Sequence, residues 1–221
     1  MAHRILADLL DRNDDHVAAL SPGAFDGHHE GQRPGVVSVC CSDSRVSQEG
    51  MFAVEEPGVL FTSGAIGNAV STVVDGERVL DGSVAYPLRH THTEVLAVVG
   101  HTGCGAVEAG LDDPAVVGES EAEGSDGEGG GDEADSDGDA RASVRDRLVE
   151  YNVHEQVAFA RDREEAADAT VYGFVYDLHG VYGDREGTVY LVNADGERDP
   201  EALRDLVGDA RAGHVATLLK R

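Results

Sequence analysis

The sequence predicts an α/β domain: a mostly parallel central β-sheet flanked by helices, with an antiparallel edge strand and an N-terminal helical arm. Three observations carry this prediction. Short valine-rich runs alternate with segments of helical spacing. Two of those runs, 36–40 and 95–100, are apolar at nearly every position, as strands buried on both faces must be. Two later runs, 171–178 and 188–192, flank a turn-rich stretch that lets them pair back as a hairpin. With 221 residues, 41% of them hydrophobic, the chain is expected to form one domain, 1–221.

Residues 1–20 place Ile5, Leu6, Leu9, Leu10, Val17 and Leu20 on one helix face, which predicts the arm; Asn13-Asp14-Asp15 are expected to interrupt it. Residues 21–35 are rich in Gly, Pro and His and predict a loop. Val36-Val37-Ser38-Val39-Cys40 predicts the first buried strand, and Val59-Leu60-Phe61-Thr62 a second. Residues 71–84 mix helix and turn signals, and a helix over 81–88 would lead to the next strand. That strand, Val95-Leu96-Ala97-Val98-Val99-Gly100, is the clearest in the chain; a helix is expected from 106. Val144, Leu148, Tyr151, Val153, Val157 and Ala160 give helical spacing over 143–161. The two hairpin strands follow, and an amphipathic helix is expected over 201–219.

Charge narrows the function classes. Lys and Arg total 17 against 43 acids, a net charge of −26, and Lys220 is the only lysine. Such a chain is repelled by nucleic acid and by anionic lipid, which argues against both partners. No apolar run is long enough to cross a membrane. Residues 112–141 hold twelve acids and one arginine among Gly and Ser. They offer too little apolar surface to fold and predict a disordered acidic insert, whether linker, salt-solvating brush or partner-binding tail. The remainder still carries 31 acids against 16 bases. Acid excess along the whole chain predicts a protein of a halophilic cytoplasm, since in molar salt the Debye length falls to about 3 Å and self-repulsion is weak. Three cysteines, two of them adjacent, make no disulfide framework and fit a reducing compartment. No secretory leader is evident, so a cytoplasmic location is expected.

Sites in open α/β sheets form at the carboxyl ends of strands. The two best strands end in soft ligands: Cys41 after the first, His101 and Cys104 after the later one. Two thiolates and an imidazole suit zinc, and three protein ligands leave one tetrahedral corner open, as in catalytic zinc sites. The competing reading is buried thiols and a core histidine, and convergence in the sheet separates the two. Cys40 is read as a small buried residue pointing away from Cys41.

Cys41-Ser42-Asp43-Ser44-Arg45, followed some sixty residues later by Gly100-His101-Thr102-Gly103-Cys104-Gly105, resembles the β-class carbonic anhydrases. Pro57-Gly58, Phe61, Gly67-Asn68, residues 152–157 and Gly173-Phe174-Val175-Tyr176-Asp177 fall in matching order, so the resemblance covers roughly 30–110 and 144–193. It implies zinc-dependent, reversible hydration of CO2 to bicarbonate and a proton, with zinc-bound hydroxide attacking CO2. It implies one Zn2+ per chain, held by Cys41, His101 and Cys104. Asp43 and Arg45 would form the catalytic dyad, the carboxylate aiming the attacking oxygen and the arginine keeping it ionised. Gln32, Phe61, Ile66 and Gly105 match substrate-contacting positions. A homodimer or higher homo-oligomer is implied, with the N-terminal helix embracing the partner. In some members the equivalent of Asp43 closes the site at low pH; Gln32 and the absence of tryptophan favour the open form here. Where members commonly carry Arg-Asn-Ala-Gly-Asn, this chain has Gly64-Ala65-Ile66-Gly67-Asn68, so the local hydrogen bonding must differ. His28 or His29, near Gln32, is the candidate proton carrier. Two rival functions use the same residues: hydrolysis of CS2 or COS, and a non-catalytic zinc or redox-thiol protein. The intact Asp43/Arg45 pair favours the enzyme.

Overall fold

The structure, a computed structural model, describes residues 2–111 and 133–219. In chain order its elements are α1 (Ala2–Ala19), β1 (Val36–Cys41), α2 (Gln48–Met51), β2 (Leu60–Ala65), β3 (Ser71–Val74), β4 (Glu77–Leu80), α3 (Gly82–His90), β5 (Val95–His101), α4 (Gly105–Leu111), α5 (Glu133–Arg161), β6 (Thr170–Asp177), β7 (Thr188–Ala194) and α6 (Pro200–Val207). Five strands form the central sheet in the order β2-β1-β5-β6-β7. The first four pair in parallel and β7 returns antiparallel to β6, which is the predicted fold class.

Both faces of the sheet are covered, which is why its strands read as continuous apolar runs. On one face Val37, Val39, Cys41, Leu96, Val98, Val171 and Val175 pack against Val149, Val153 and Val157 of α5. On the other, Cys40, Ala97 and Val99 pack with Met51, Phe52 and Phe174. Helix α5 lies so close that a Cβ on Gly100 would fall 2.8 Å from Val153 Cγ2, and one on Gly173 2.7 Å from Val153 Cγ1. Glycine at those two strand positions lets helix and sheet meet.

Four expectations need correction. Helix α1 runs unbroken through Asn13-Asp14-Asp15. These residues cost only about 0.7 kcal/mol each in a helix interior, and no Gly or Pro accompanies them. Residues 71–80 form the hairpin β3–β4, where helix and turn signals were mixed. Asp75 and Gly76 both adopt positive φ (53° and 84°), the geometry of a two-residue Asp-Gly turn between alternating strands. The terminal helix stops at Val207, because Gly208 turns left-handed (φ 75°) and the chain continues as a 3-10 segment, Asp209–His214. Val215 then bridges Leu191 on the exposed edge of β7. Finally, α5 begins at Glu133, inside the acidic stretch expected to be disordered. Acidic side chains near a helix N-terminus are favoured by the helix dipole. The rest of that stretch, 112–132, lies outside the described residues.

The apolar stripe of α1 has no cover among the described residues: Ile5, Leu6, Leu9, Leu10 and Val17 are 55–60% exposed. The opposite holds at the carboxyl end. Fully buried Glu150 of α5 accepts hydrogen bonds from Tyr182 Oη (2.8 Å), Leu218 N (2.7 Å) and Thr217 Oγ1, and faces His154 Nε2 at 3.6 Å. One carboxylate thus ties the terminal residues and the 179–187 turn to the helix.

Glu150→Ala is expected to cost about 1–3 kcal/mol or more, because it leaves the buried Tyr182 hydroxyl and the Leu218 N–H without their acceptor. Burial alone would raise the Glu150 carboxyl, but the bonds from His154, Leu218, Thr217 and Tyr182 outweigh it and hold the group below its ordinary range. A folded-state pKa below the unfolded one gives stability that is present above the unfolded pKa and lost as pH falls through the folded value. The difference in denaturant midpoint between wild type and variant is therefore full near neutral pH and shrinks below about pH 4. A difference that stays constant into acid would contradict this account.

Candidate metal centre

Chain connectivity creates the site. β1 is followed by β2 on one side, and the chain then crosses over β1 to lay β5 on its other side. The strand order reverses there, and a crevice opens beyond the carboxyl ends of the two strands. Cys40 of β1 pairs with Val99 of β5, so Cys41, one residue on, and His101, two residues on, lie at the same end of the sheet. The turn after β5 brings Cys104 back just before α4. The three side chains predicted from sequence therefore converge: Cys41 Sγ, Cys104 Sγ and a ring nitrogen of His101 all lie within 4.8 Å of one another.

The donor set fits a tetrahedral soft cation. The two sulfurs are 3.9 Å apart, close to the roughly 3.8 Å edge of a tetrahedron with zinc–sulfur bonds of 2.3 Å. His101 is fully buried and its Nδ1 lies 3.0 Å from the Thr102 carbonyl oxygen, which fixes the proton on Nδ1. Its Nε2 is buried with no hydrogen-bond partner among the described residues. Burial lowers the His101 pKa, so the ring is the neutral imidazole that a metal requires. Burial pushes the Cys104 thiol up, opposed by the Val107 and Ala106 backbone N–H groups and aided by the neighbouring Cys41 sulfur. A buried sulfur pair beside an unsatisfied imidazole nitrogen calls for a cation.

Asp43 and Arg45 meet at this centre. Arg45 donates from Nε to Oδ1 (2.9 Å), from Nη2 to Oδ2 (2.6 Å) and from its backbone N–H to Oδ1 (2.9 Å). Those bonds hold the Asp43 carboxyl well below the usual carboxylate range. Asp43 Oδ2 lies 3.8 Å from His101 Nε2, so the carboxylate stands beside the triad. Arg45 Nη2 also donates to the Gly103 carbonyl oxygen at 3.0 Å, tying the pair to the turn between the ligands.

That turn is held by residues the sequence reading did not single out. Asp146 of α5 accepts from Gly103 N at 2.8 Å. Thr102 Oγ1 lies 3.2 Å from Asp177 Oδ1 and 3.0 Å from His179 Nδ1, and accepts from Leu178 N at 2.8 Å. A signal for Asp146 was present: it shares the apolar stripe of α5 with Val149 and Val153, where an acid must find a donor. Thr102 and His179 carried no such pattern.

The remaining candidates separate. Ile66 is 73% exposed and lines, with Ala106, Val107, Tyr151 and Asn152, a groove of about 540 Å3. Gly105 is the exposed first residue of α4. Phe61 is half-buried against the core with its ring 6.3 Å from that of Tyr86. Gln32 sits with His28, Pro57 and Gly58 in a loop whose following residues, Pro34 and Gly35, bond to Thr93 and Val59 before β5 and β2 begin. It is thus at the amino end of the sheet, a strand length of roughly 20 Å from its own triad. Cys40 packs on the opposite face, and burial pushes its thiol up to about 12. At the replaced Arg-Asn position, a side chain on Gly64 would meet Ser42 Oγ at 2.9 Å. The local bonding comes from α5 instead, with Asn152 Nδ2 donating to the Gly67 carbonyl (2.9 Å) and Asn68 Oδ1 (3.3 Å).

Comparison with known proteins agrees with this geometry. The family model described as "Carbonic anhydrase" matches residues 36–186. Carbonic anhydrase 2 of Mycobacterium tuberculosis is 32% identical over 97 residues, which is 44% of this chain and 40% of that protein, so the match spans less than half the relative's length. A Coccomyxa β-carbonic anhydrase solved with acetazolamide superposes with a TM-score of 0.62 at 23% identity, covering 90% of each chain. The β-carbonic anhydrase CafA of Aspergillus fumigatus gives 0.60 at 24% identity over 90% of this chain and 95% of that one. One of two β-carbonic anhydrases of Sordaria macrospora, described as tetrameric, gives 0.59 at 19% identity, covering 87% and 97%. With the fold of the β class and a family match over most of its length, the chain belongs to the carbonic anhydrase family.

Proposed function

We propose that the protein catalyses the reversible hydration of CO2 to bicarbonate and a proton, using one zinc ion per chain held by Cys41, His101 and Cys104. The observation that carries this reading is the convergence of two sulfurs and an otherwise unpartnered buried imidazole nitrogen at a strand-order reversal. When bound, zinc with an open corner acts as a Lewis acid that makes water nucleophilic near neutral pH.

The chain's own residues supply the rest. Asp43, kept ionised by Arg45, accepts a hydrogen bond from the attacking water and points its remaining lone pair at CO2. The two-point grip of Arg45 on Asp43 would compete with coordination of the carboxylate to a bound zinc, which supports an open resting site. Ile66 and the apolar groove beside it suit an uncharged substrate; the resemblance gives Gly105 and Phe61 the same role. Gln32 reaches substrate only from a second copy of the chain. The uncovered stripe of α1 supports such a homo-oligomer. The acid excess supports a halophilic, cytoplasmic setting in which salt screens the surface.

Cys41→Ser is expected to lose bound zinc and CO2 hydration together, read by metal analysis and stopped-flow assay. Full activity in that variant would sink the ligand assignment, and faster turnover of COS or CS2 than of CO2 by the wild type would sink the substrate. Asp43→Asn should keep its zinc and lose about 10²-fold or more in kcat/KM. The thermal midpoint is expected to rise steadily from low to molar KCl; a midpoint indifferent to salt would refute the halophilic reading.

A further inference from the structure

Helix α5 buries two acids in its valine-rich stripe. Asp146 and Glu150 stand one turn apart, on the face that carries Val149, Val153 and Val157, and they are 2% and 0% exposed. Buried carboxylates are a poor source of stability, because well-packed apolar side chains of similar volume serve as well or better. What these two supply is hydrogen-bond acceptors at fixed places, and both lead to the metal-binding turn.

Asp146 reaches that turn directly: its Oδ1 accepts from Gly103 N at 2.8 Å and from its neighbour Arg145 Nε at 3.2 Å. Glu150 reaches it through a chain of bonds. Its Oε2 accepts from Tyr182 Oη at 2.8 Å. The Tyr182 ring packs against the valine core and stacks on Tyr190, with centroids 5.2 Å apart. Burial and the Glu150 charge push the Tyr182 hydroxyl far above its ordinary range, so it stays protonated and donates. The backbone leading into Tyr182 wraps round Asp177, a fully buried carboxylate at the end of β6. Asp177 Oδ2 accepts from Tyr182 N (2.8 Å), and Oδ1 from Val181 N (3.0 Å), His179 N (3.2 Å) and Thr102 Oγ1 (3.2 Å). Leu178 N donates back to Thr102 Oγ1 at 2.8 Å. One helix therefore grips Gly103 through Asp146, and grips Thr102 through Glu150, Tyr182 and Asp177. Thr102 and Gly103 are the two residues between His101 and Cys104.

Resting on the zinc and hydration reading above, we propose that Tyr182 is a positioning residue: its hydroxyl completes the second grip of α5 on the turn between His101 and Cys104, and so sets how firmly those two donors are held and aimed. The Glu150 carboxylate also accepts from Leu218 N and Thr217 Oγ1, bonds that tie down the carboxyl-terminal residues and do not involve the metal-binding turn. That division provides the control.

The test compares two variants of the full chain, each loaded with zinc or with Co2+. Tyr182→Phe keeps the ring and its stacking and lacks the hydroxyl; Thr217→Val removes the other side-chain hydroxyl from Glu150. Both are expected to lower the thermal midpoint modestly. Only Tyr182→Phe is expected to release zinc to a chelator faster, by roughly threefold to tenfold, short of the 10–100-fold that loss of a direct outer-shell partner costs. Its cobalt form should show a shifted or weakened thiolate-to-metal absorption band, and its kcat for CO2 hydration should fall several-fold with KM little changed. Tyr182→Phe with wild-type zinc release and cobalt spectrum overturns the proposal. Equal changes in Thr217→Val overturn it too, since the effect would then be one of general stability. A wild type that holds zinc without hydrating CO2 overturns the functional reading, while zinc release and the cobalt band still decide this inference; a wild type that holds no zinc overturns both.

Discussion

Two sulfurs held 3.9 Å apart in a buried corner, beside an imidazole nitrogen with no hydrogen-bond partner among the described residues, set the terms for the rest of this structure. A thiolate pair taken out of water is costly unless a cation compensates it. The cost is accepted because the sheet leaves no choice: β1 and β5 are parallel neighbours whose ends coincide. A slip of one residue in that register would turn Cys40 toward the site and Cys41 toward Met51 and Phe52. Close packing of Val37, Val39, Leu96 and Val98 against α5 fixes the register. The valine core is thus what makes the donor set reproducible.

The turn between His101 and Cys104 is the other half of the site, and it is clamped from three directions. Arg45 holds the Gly103 carbonyl, Asp146 of α5 holds the Gly103 amide, and Asp177 with His179 holds the Thr102 hydroxyl. Gly103 is left-handed there (φ 69°), and its missing side chain admits the His179 ring. The clamps come from β6, α5 and the loop after β1, so the ligands are positioned by rigid elements and not by the turn alone. Groups locked in this way need little reorganisation when charge develops during a reaction.

The sequence was legible where a local pattern carried the signal. Short apolar runs marked all five strands of the central sheet, and soft ligands at strand ends marked Cys41, His101 and Cys104. The β3–β4 hairpin was hidden because its strands are only four residues each and half-exposed, so alternation was weak; Asp75-Gly76 was the readable sign. The end of α6 was misjudged because amphipathic spacing continues past Gly208 although the backbone does not.

Composition and spacing by themselves determined the α/β class and pointed to soft-ligand chemistry at two strand ends, while the carboxylate–guanidinium pair came from the resemblance to a family. These depend on residue type and on separations of a few positions, where the chain's own geometry suffices. Only the tertiary structure decided that ligands 60 positions apart meet, that Gln32 and His28 sit at the opposite end of the sheet from their own triad, and that His179 lies against Gly103. Such proximities arise from strand order and register, which are properties of the whole packed core and leave no trace in the residues they bring together.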